Sequence, residues 1–501
     1  MSPEIHESAP SETSPLLRQP STSSLSSKSS QTTISDAPNV VENTKISISR
    51  GVVITASLGL IIFLQAFAPT VKWFLFGRAL TGLGGAGILS LTIIIVLQVG
   101  GEKKRGLFLG CVNSIITTGV SLGAVLGGAI EPNLGWRAVF WMQTPPSILA
   151  GIVVFLSIPS HLGASKGDTR TLKEKVSQID YAGAALLTAA ITTLLISLSG
   201  PKVLILPLVL AFLLFPSFII TELYFARDPI VPITLLKSRG TAFTCLATLG
   251  FMMSRWSVLF YTPVYALGVR LWAPAAAGSI LIPTNLGFGT GGVLAGLLHI
   301  RRAGSFYLPT LVTMSLFPLT LLLLGLASRA TTPAPLYVLL TFLNGLTTGA
   351  AINYALVHAL HLTPKPTHFV LTSLVATFRG FAGSFGSAIG GGVFARLLAD
   401  ALARGFARRG VIENKTELIR RLLGSPALVA RLSGVDQAVA IEGYEYALRG
   451  LFLAAVGLSI VTVVVQAGTG WRGYGERHDE ETEEERRRER EEEEVGETTA
   501  A

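Results

Sequence analysis

The sequence predicts an all-α polytopic membrane protein. Three observations carry that prediction: a composition too apolar for water, a series of runs long enough to cross a bilayer, and an uneven division of Lys and Arg between the loops. Of 501 residues, 50% are hydrophobic and 14% charged, and the mean hydropathy is +0.55. A soluble protein carries about 25% charged residues. A spanning helix needs roughly 20 apolar residues. Twelve runs of that order occur, at about 51–70, 72–96, 106–130, 138–158, 181–199, 203–225, 242–264, 274–298, 306–327, 335–360, 367–397 and 447–468. In lipid they must be helices, because every backbone N–H and C=O needs a partner inside its own segment. Cys111 and Cys245, the two cysteines, both lie in apolar runs, which excludes a disulfide scaffold.

Residues 1–50 are polar and rich in Ser and Thr. They cannot bury a core and are expected to form a disordered cytosolic tail. They hold no apolar h-region, so a cleaved signal peptide is not expected. Loops after the even-numbered spans, of which 159–180 is the longest, hold Lys103, Lys104, Arg105, Lys166, Arg170, Lys173, Lys175, Arg227, Lys237, Arg239, Arg301, Arg302 and Lys365. Loops after the odd-numbered spans hold Lys72, Arg137, Lys202, Arg270 and Arg329. The positive-inside rule then places both termini in the cytosol. The segment 367–397 is too long for one straight span and is expected to tilt or to extend into water. Residues 398–446 are expected to be a lumenal loop carrying an amphipathic surface helix, although they contain Arg404, Arg408, Arg409, Arg420, Arg421 and Arg431. Asn414-Lys415-Thr416 is a glycosylation sequon on that side. Residues 469–501 form a charged tail, expected to be disordered and cytosolic.

The net charge of +9 is a topology signal and excludes nothing else by itself. From Glu476 to Ala501 the chain carries a net −8, so residues 1–475 carry +17, much of it in the short cytosolic loops. This distribution is not the footprint of a nucleic-acid binder.

Gly82-Leu83-Gly84-Gly85-Ala86-Gly87 satisfies G-x-G-x-x-G. A dinucleotide site, however, needs a strand before it and a βαβ unit around it, and these glycines lie inside an apolar span. Gly119, Gly123 and Gly127 recur every fourth residue and so share one helix face. Small residues there admit a second backbone at close range, whether as static packing or as a sliding surface. Gly383, Gly386 and Gly390 are similar. Ionisable groups inside lipid cost roughly 3 kcal/mol each on insertion scales and default to function. Arg78 lies in the second run, and Arg255 and Arg379 lie near the middles of the seventh and eleventh. Asn285 and Asn344 fall at comparable depth, so together they predict a polar layer near the midplane, with interhelical hydrogen bonding as the plainer reading. Trp256, Tyr261 and Tyr265 are candidate lining or packing residues. His299, His358, His361 and His368 sit near span ends, where ligation of a metal is not expected. No nucleophile, base and metal-ligand set coincide, so neither an enzyme nor a cofactor is expected.

Several stretches resemble the major facilitator superfamily, and within it the fungal fourteen-span drug:proton antiporter branch. Phe76-Gly77-Arg78-Ala79-Leu80-Thr81-Gly82 is similar to that branch's fourth-helix motif. Gly119 through Gly123, Ala124, Gly127 and Gly128 are similar to its fifth-helix motif, with Ala124 standing where antiporters carry Pro. Gly135-Trp136-Arg137, Glu222, Asp228-Pro229, Ala277-Gly278 with Pro283, and Phe378-Arg379-Gly380 follow in the branch's order. The nearest likeness is to vacuolar basic amino acid transporters. Glu12, Leu16 and Leu17 match the acidic dileucine signal read by sorting adaptors.

The resemblance implies major-facilitator helix bundles in a 4 + 2 + 6 arrangement. These are an incomplete N-terminal bundle over 51–158, a central pair over 181–225, and a six-helix bundle over 242–468. The branch's first two helices and gating-loop motif have no counterpart. The resemblance further implies proton-coupled movement of basic amino acids across the vacuolar membrane by alternating access. Arg78 is then expected in coupling, Gly82, Gly119, Gly123, Gly127 and Gly128 at the moving interface, and Arg255, Asn285, Asn344 and Arg379 in the substrate cavity. The expected partners are a small-molecule substrate, protons and the bilayer, with no nucleic acid. Drug or toxin export at the plasma membrane is the alternative, and a non-transporting sensor or inert truncated product is the alternative of a different class.

Overall fold

A computed structural model describes residues 70–82, 84–85, 101–157, 180–225, 236–299, 305–363, 367–409 and 415–470. Among the described residues every regular element is helical. In chain order they are α1 (71–82), α2 (Gly101–Leu134), α3 (Trp136–Ser157), α4 (Tyr181–Ser199), α5 (Ile205–Tyr224), α6 (Arg239–Gly268), α7 (Pro274–Ser279) and α8 (Leu281–Leu294), which ends in a π turn, Ala295–His299. There follow α9 (Tyr307–Leu326), α10 (Ala334–His361), α11 (His368–Arg408), α12 (Thr416–Gly424), a 3-10 turn (Pro426–Arg431) and α13 (Gly434–Ala467). Nine helices among the described residues are long and apolar enough to cross a membrane. They account for most of the predicted runs; 51–69 and much of 72–96 lie outside the described residues.

Six helices, α6, α8, α9, α10, α11 and α13, pack on one another around a core centred on Phe251, Phe317, Leu321, Leu324 and Phe452. Phe251 and Phe317 lie with ring centroids 4.5 Å apart. α8 and α10 meet backbone to backbone, and glycines on both sides allow it. A Cβ on Gly287 or Gly291 would overlap the backbone of Phe342 or Leu346. One on Gly345 or Gly349 would overlap the backbone of Thr284 or Phe288. In lipid there is no hydrophobic drive between helices, so this close van der Waals approach is what holds the pair. Outside the six, α4 pairs with α5 and rests on α11, while α2 lies along α7 and α8 and carries α3. Asp180 caps α4, its carboxylate accepting from the Gly183 N–H at 2.8 Å.

The expected loop 398–446 is instead helical for most of its length. α11 continues to Arg408 and α13 begins at Gly434, and among the described residues α12 and the 3-10 turn lie between them. Leu398, Leu402 and Phe406 extend the buried stripe of α11, and Leu422 and Val429 close over it. The Tyr444 hydroxyl donates to the Leu422 carbonyl at 2.5 Å. The polar residues that lower the hydropathy here lie on the outer face and pair locally: Arg404 with Asp400, Arg409 with Glu442, Lys415 with Asp436 and Arg420 with Glu417. The hydrogen bond from Arg420 holds the Glu417 carboxyl below its ordinary range. An amphipathic helix is present as expected, α12, but it is a lid on the bundle rather than part of a long loop.

Candidate functional site

Five helices, α2, α6, α8, α10 and α11, surround a cavity of about 340 Å³. Its walls are mainly apolar, with Val112 and Val120 from α2, Met252 from α6, Phe288 from α8, Ile352 from α10 and Val375 from α11. The polar groups on this wall include Arg255, Asn285, Asn353 and Arg379. A concave apolar chamber of a few hundred Å³ with a small number of convergent polar groups is the usual form of a small-molecule site.

Arg255 stands near the middle of α6, 2% exposed, and its guanidinium ties three helices together. One terminal nitrogen donates to Thr284 Oγ1 at 2.5 Å and to Asn344 Oδ1 at 3.5 Å. The other donates to the Thr284 carbonyl at 3.3 Å and to Asn285 Oδ1 at 3.2 Å. All these acceptors are neutral. The network continues outward from both amides. Asn285 Nδ2 donates to Ser121 Oγ on α2 at 2.8 Å, and Asn344 Nδ2 donates to Thr320 Oγ1 on α9 at 3.1 Å. Arg379 approaches from α11. Its guanidinium carbon lies 5.9 Å from the centroid of the Phe288 ring, and that of Arg255 lies 5.7 Å from the same ring. Among the described residues neither arginine forms an ion pair, and no Asp or Glu lines the cavity.

Of the residues singled out from the sequence, Arg255, Asn285 and Arg379 thus meet at one cavity. Asn344 sits behind its wall, fully buried, and reaches the cavity through Arg255. Ser121, Thr284, Thr320 and Phe288 were not predicted. Small hydroxyl residues and a phenylalanine are ordinary in a spanning run, so only the position of Phe288 three residues beyond Asn285 marked it. Of the three aromatic candidates Trp256 lines the cavity, whereas Tyr265 stacks on Tyr337 at 4.0 Å and donates to the Arg329 carbonyl. Tyr261 packs on Phe394 at 4.7 Å.

The glycine series divides. A Cβ on Gly128 would lie 2.5 Å from the Pro274 carbonyl oxygen, and one on Gly278 would overlap the Ala124 carbonyl, so α2 and α7 meet backbone to backbone at this end of the series. Gly127 faces Val139 on α3 at 3.9 Å, and Gly82, Gly119 and Gly123 have nothing within 4 Å among the described residues. Arg78 lies on the exposed side of α1 and is not part of the cavity wall. His358 and His361 are buried, and His358 Nε2 lies 3.1 Å from Thr469 Oγ1. Among the described residues no group of His, Cys, Asp and Glu is arranged to hold a metal. Glu12, Leu16, Leu17 and Asn414 lie outside the described residues.

Comparison with known proteins gives the following likenesses. A family model described as Major Facilitator Superfamily matches residues 44–391. The "MFS-type transporter clz4" of Cochliobolus lunatus is 26% identical over 404 residues, covering 79% of this chain and 69% of the relative. "Multidrug resistance protein fnx1" of Schizosaccharomyces pombe is 26% identical over 406 residues, covering 78% of this chain and 73% of the relative. Among solved structures, a bacterial homologue of the human lysosomal transporter Spinster, inward-facing and unoccupied, superposes with a TM-score of 0.50 at 13% identity. It covers 84% of this chain and 85% of that chain, which is a likeness of fold.

Proposed function

The chain belongs to the Major Facilitator Superfamily, and from that premise we propose that it exports small organic molecules from the cytosol by alternating access around the α2–α6–α8–α10–α11 cavity, driven by protons. The observation that carries this reading is the position of the cavity. Its walls come from α2 on one side and from the six-helix bundle on the other. Rocking of α2 against α7, at Gly128 and Gly278, would open it first to one side of the membrane and then to the other, as repeat-against-repeat motion requires. Likeness to a protein named for multidrug resistance points the same way.

The vacuolar basic amino acid reading finds no support in the geometry. A lysine or arginine side chain entering this chamber meets two guanidinium groups and, among the described residues, no carboxylate. Burying a cation without an anionic partner is costly, so organic-molecule export is the better fit. Arg78 remains the residue proposed for proton coupling, on resemblance alone.

The test is transport by the full chain in proteoliposomes, with and without an imposed proton gradient, offering labelled 1-naphthaleneacetate, its labelled amide and labelled arginine in parallel. Gradient-driven flux of a naphthyl probe with no flux of arginine is expected. Arginine flux alone would restore the amino acid reading, and a monodisperse, correctly inserted protein that moves none of the three would count against transport.

A further inference from the structure

We propose that the cavity is built for amphipathic organic anions, with a carboxylate or other oxyanion seated on the Arg379 guanidinium beside Arg255 and the apolar body lying along Met252, Phe288 and Val375. The proposal rests on the transport reading above and names its substrate class.

Three observations carry it. First, the charge on the wall has one sign, with two guanidinium groups and no Asp or Glu among the described lining residues. Second, the two arginines are not equivalent. Arg255 uses its terminal N–H groups on Thr284, Asn285 and Asn344 and is 2% exposed, so its hydrogen-bonding capacity is largely committed. Arg379 is only partly buried, and among the described residues its contact is the face of Phe288, with no hydrogen-bond acceptor. A planar fork of N–H donors without an acceptor matches a carboxylate or similar oxyanion in two-pronged geometry. Third, both guanidinium carbons lie within 6 Å of one ring, at 5.7 and 5.9 Å. Two cations that share one ring lie within about 12 Å of each other and repel at low dielectric, and an anion between them relieves the repulsion. One uncommitted arginine matches one negative charge. A chamber of about 340 Å³ with apolar walls matches a body of two fused rings or a short chain.

The experiment uses the full chain in nanodiscs of zwitterionic lipid and three probes sharing one skeleton: labelled 1-naphthaleneacetate, its amide, and 2-(1-naphthyl)ethylamine. The carboxylate is expected to bind at least roughly 10-fold more tightly than either analogue. Arg379→Gln should weaken carboxylate binding by roughly 10- to 100-fold, the range for losing a hydrogen bond to a charged group, while leaving the amide unchanged. Arg379→Lys should keep part of the affinity. Ala376→Asp places an acid one helical turn from Arg379 on the cavity wall. It should lower affinity for the carboxylate and raise that for the amine, which keeps the idea testable if Arg379→Gln does not fold. Equal binding of acid and amide, no binding of the acid, or full carboxylate affinity in Arg379→Gln would each overturn the proposal. Flux is read separately. Charge-selective binding without flux would reject the transport reading and leave the anion seat, whereas flux without charge selection would reject the seat and leave transport.

Discussion

Replacing Gly128 by Ala tests whether the α2–α7 contact controls opening. The added Cβ would lie 2.5 Å from the Pro274 carbonyl oxygen and 2.8 Å from its carbon. Ordinary contact begins at 3.4 Å, so the two helices must separate by about 0.9 Å to admit it. Both listeners to this clash are backbone atoms, which no rotamer change can move aside. Overpacking of this kind costs roughly 1–3 kcal/mol. Gly123→Ala is the matched control, because nothing lies within 4 Å of its Cβ among the described residues and the gain in helix propensity, ~0.5–1 kcal/mol, is common to both. The difference between the two variants therefore isolates the packing term. As a bias on a two-state equilibrium, 1–3 kcal/mol shifts the ratio of conformers roughly 5- to 150-fold.

The assay is a distance measurement between spin labels at Asn133→Cys and Ala276→Cys, in a chain whose Cys111 and Cys245 are replaced by Ser. The parent and Gly123→Ala should show one short distance, and Gly128→Ala should add or enlarge a longer one. Identical distance distributions for Gly128→Ala and Gly123→Ala would refute the reasoning.

Five further variants have expected outcomes. Ser121→Ala removes the acceptor for Asn285 Nδ2 and leaves that buried donor unpaired, at a cost of about 1–3 kcal/mol; a lowered melting temperature, restored by Ser121→Thr, is the check. Phe288→Leu keeps most of the volume and loses two ring–guanidinium contacts, each worth roughly 0.5–2 kcal/mol; a melting temperature equal to the parent's would contradict this. Leu422→Ala opens a hole beneath α12 and should cost ~2–5 kcal/mol in a denaturation series, while Tyr444→Phe, which loses one hydrogen bond, should cost ~0.5–1.5 kcal/mol. Glu417 has a depressed carboxyl pKa, so its bond to Arg420 is present at neutral pH and is lost as the pH falls through the folded value. Because the pair is exposed and screened by solvent, Arg420→Ala should reduce the loss of melting temperature on acidification only slightly.

The helical architecture was legible because lipid leaves the backbone few alternatives, and long apolar runs cannot be confused with strands at that length. The cavity residues Arg255, Asn285 and Arg379 were legible for a related reason: a charged or amide side chain at midplane depth is rare enough to notice. Ser121 and Thr284 were not, since hydroxyl residues satisfy themselves on their own helix turn and occur throughout spans. Ser121, for example, also lies 3.1 Å from the Thr117 carbonyl. The glycine face was legible as a face, but which member touches a neighbour depends on where α7 begins, and spacing does not encode that. The misread segment 398–446 did carry a signal. Leu398, Leu402 and Phe406 fall at intervals of four, the helical period, while arginines on the opposite face pulled the averaged hydropathy below that of a span.

The glycine-to-backbone contact between α8 and α10 determines where this chain can diversify. No larger residue fits at Gly287, Gly291, Gly345 or Gly349 without forcing backbones apart, so those two helices form a plate whose seam tolerates almost no drift. Asn285, Phe288 and Ile352 are presented from that plate in a fixed arrangement. Ligand preference is then free to evolve mainly on the facing walls, at positions such as Met252, Leu259, Val375 and Ala376. A library confined to those four positions should yield altered substrate ranges with folding intact, whereas one directed at the seam should yield chiefly degraded protein.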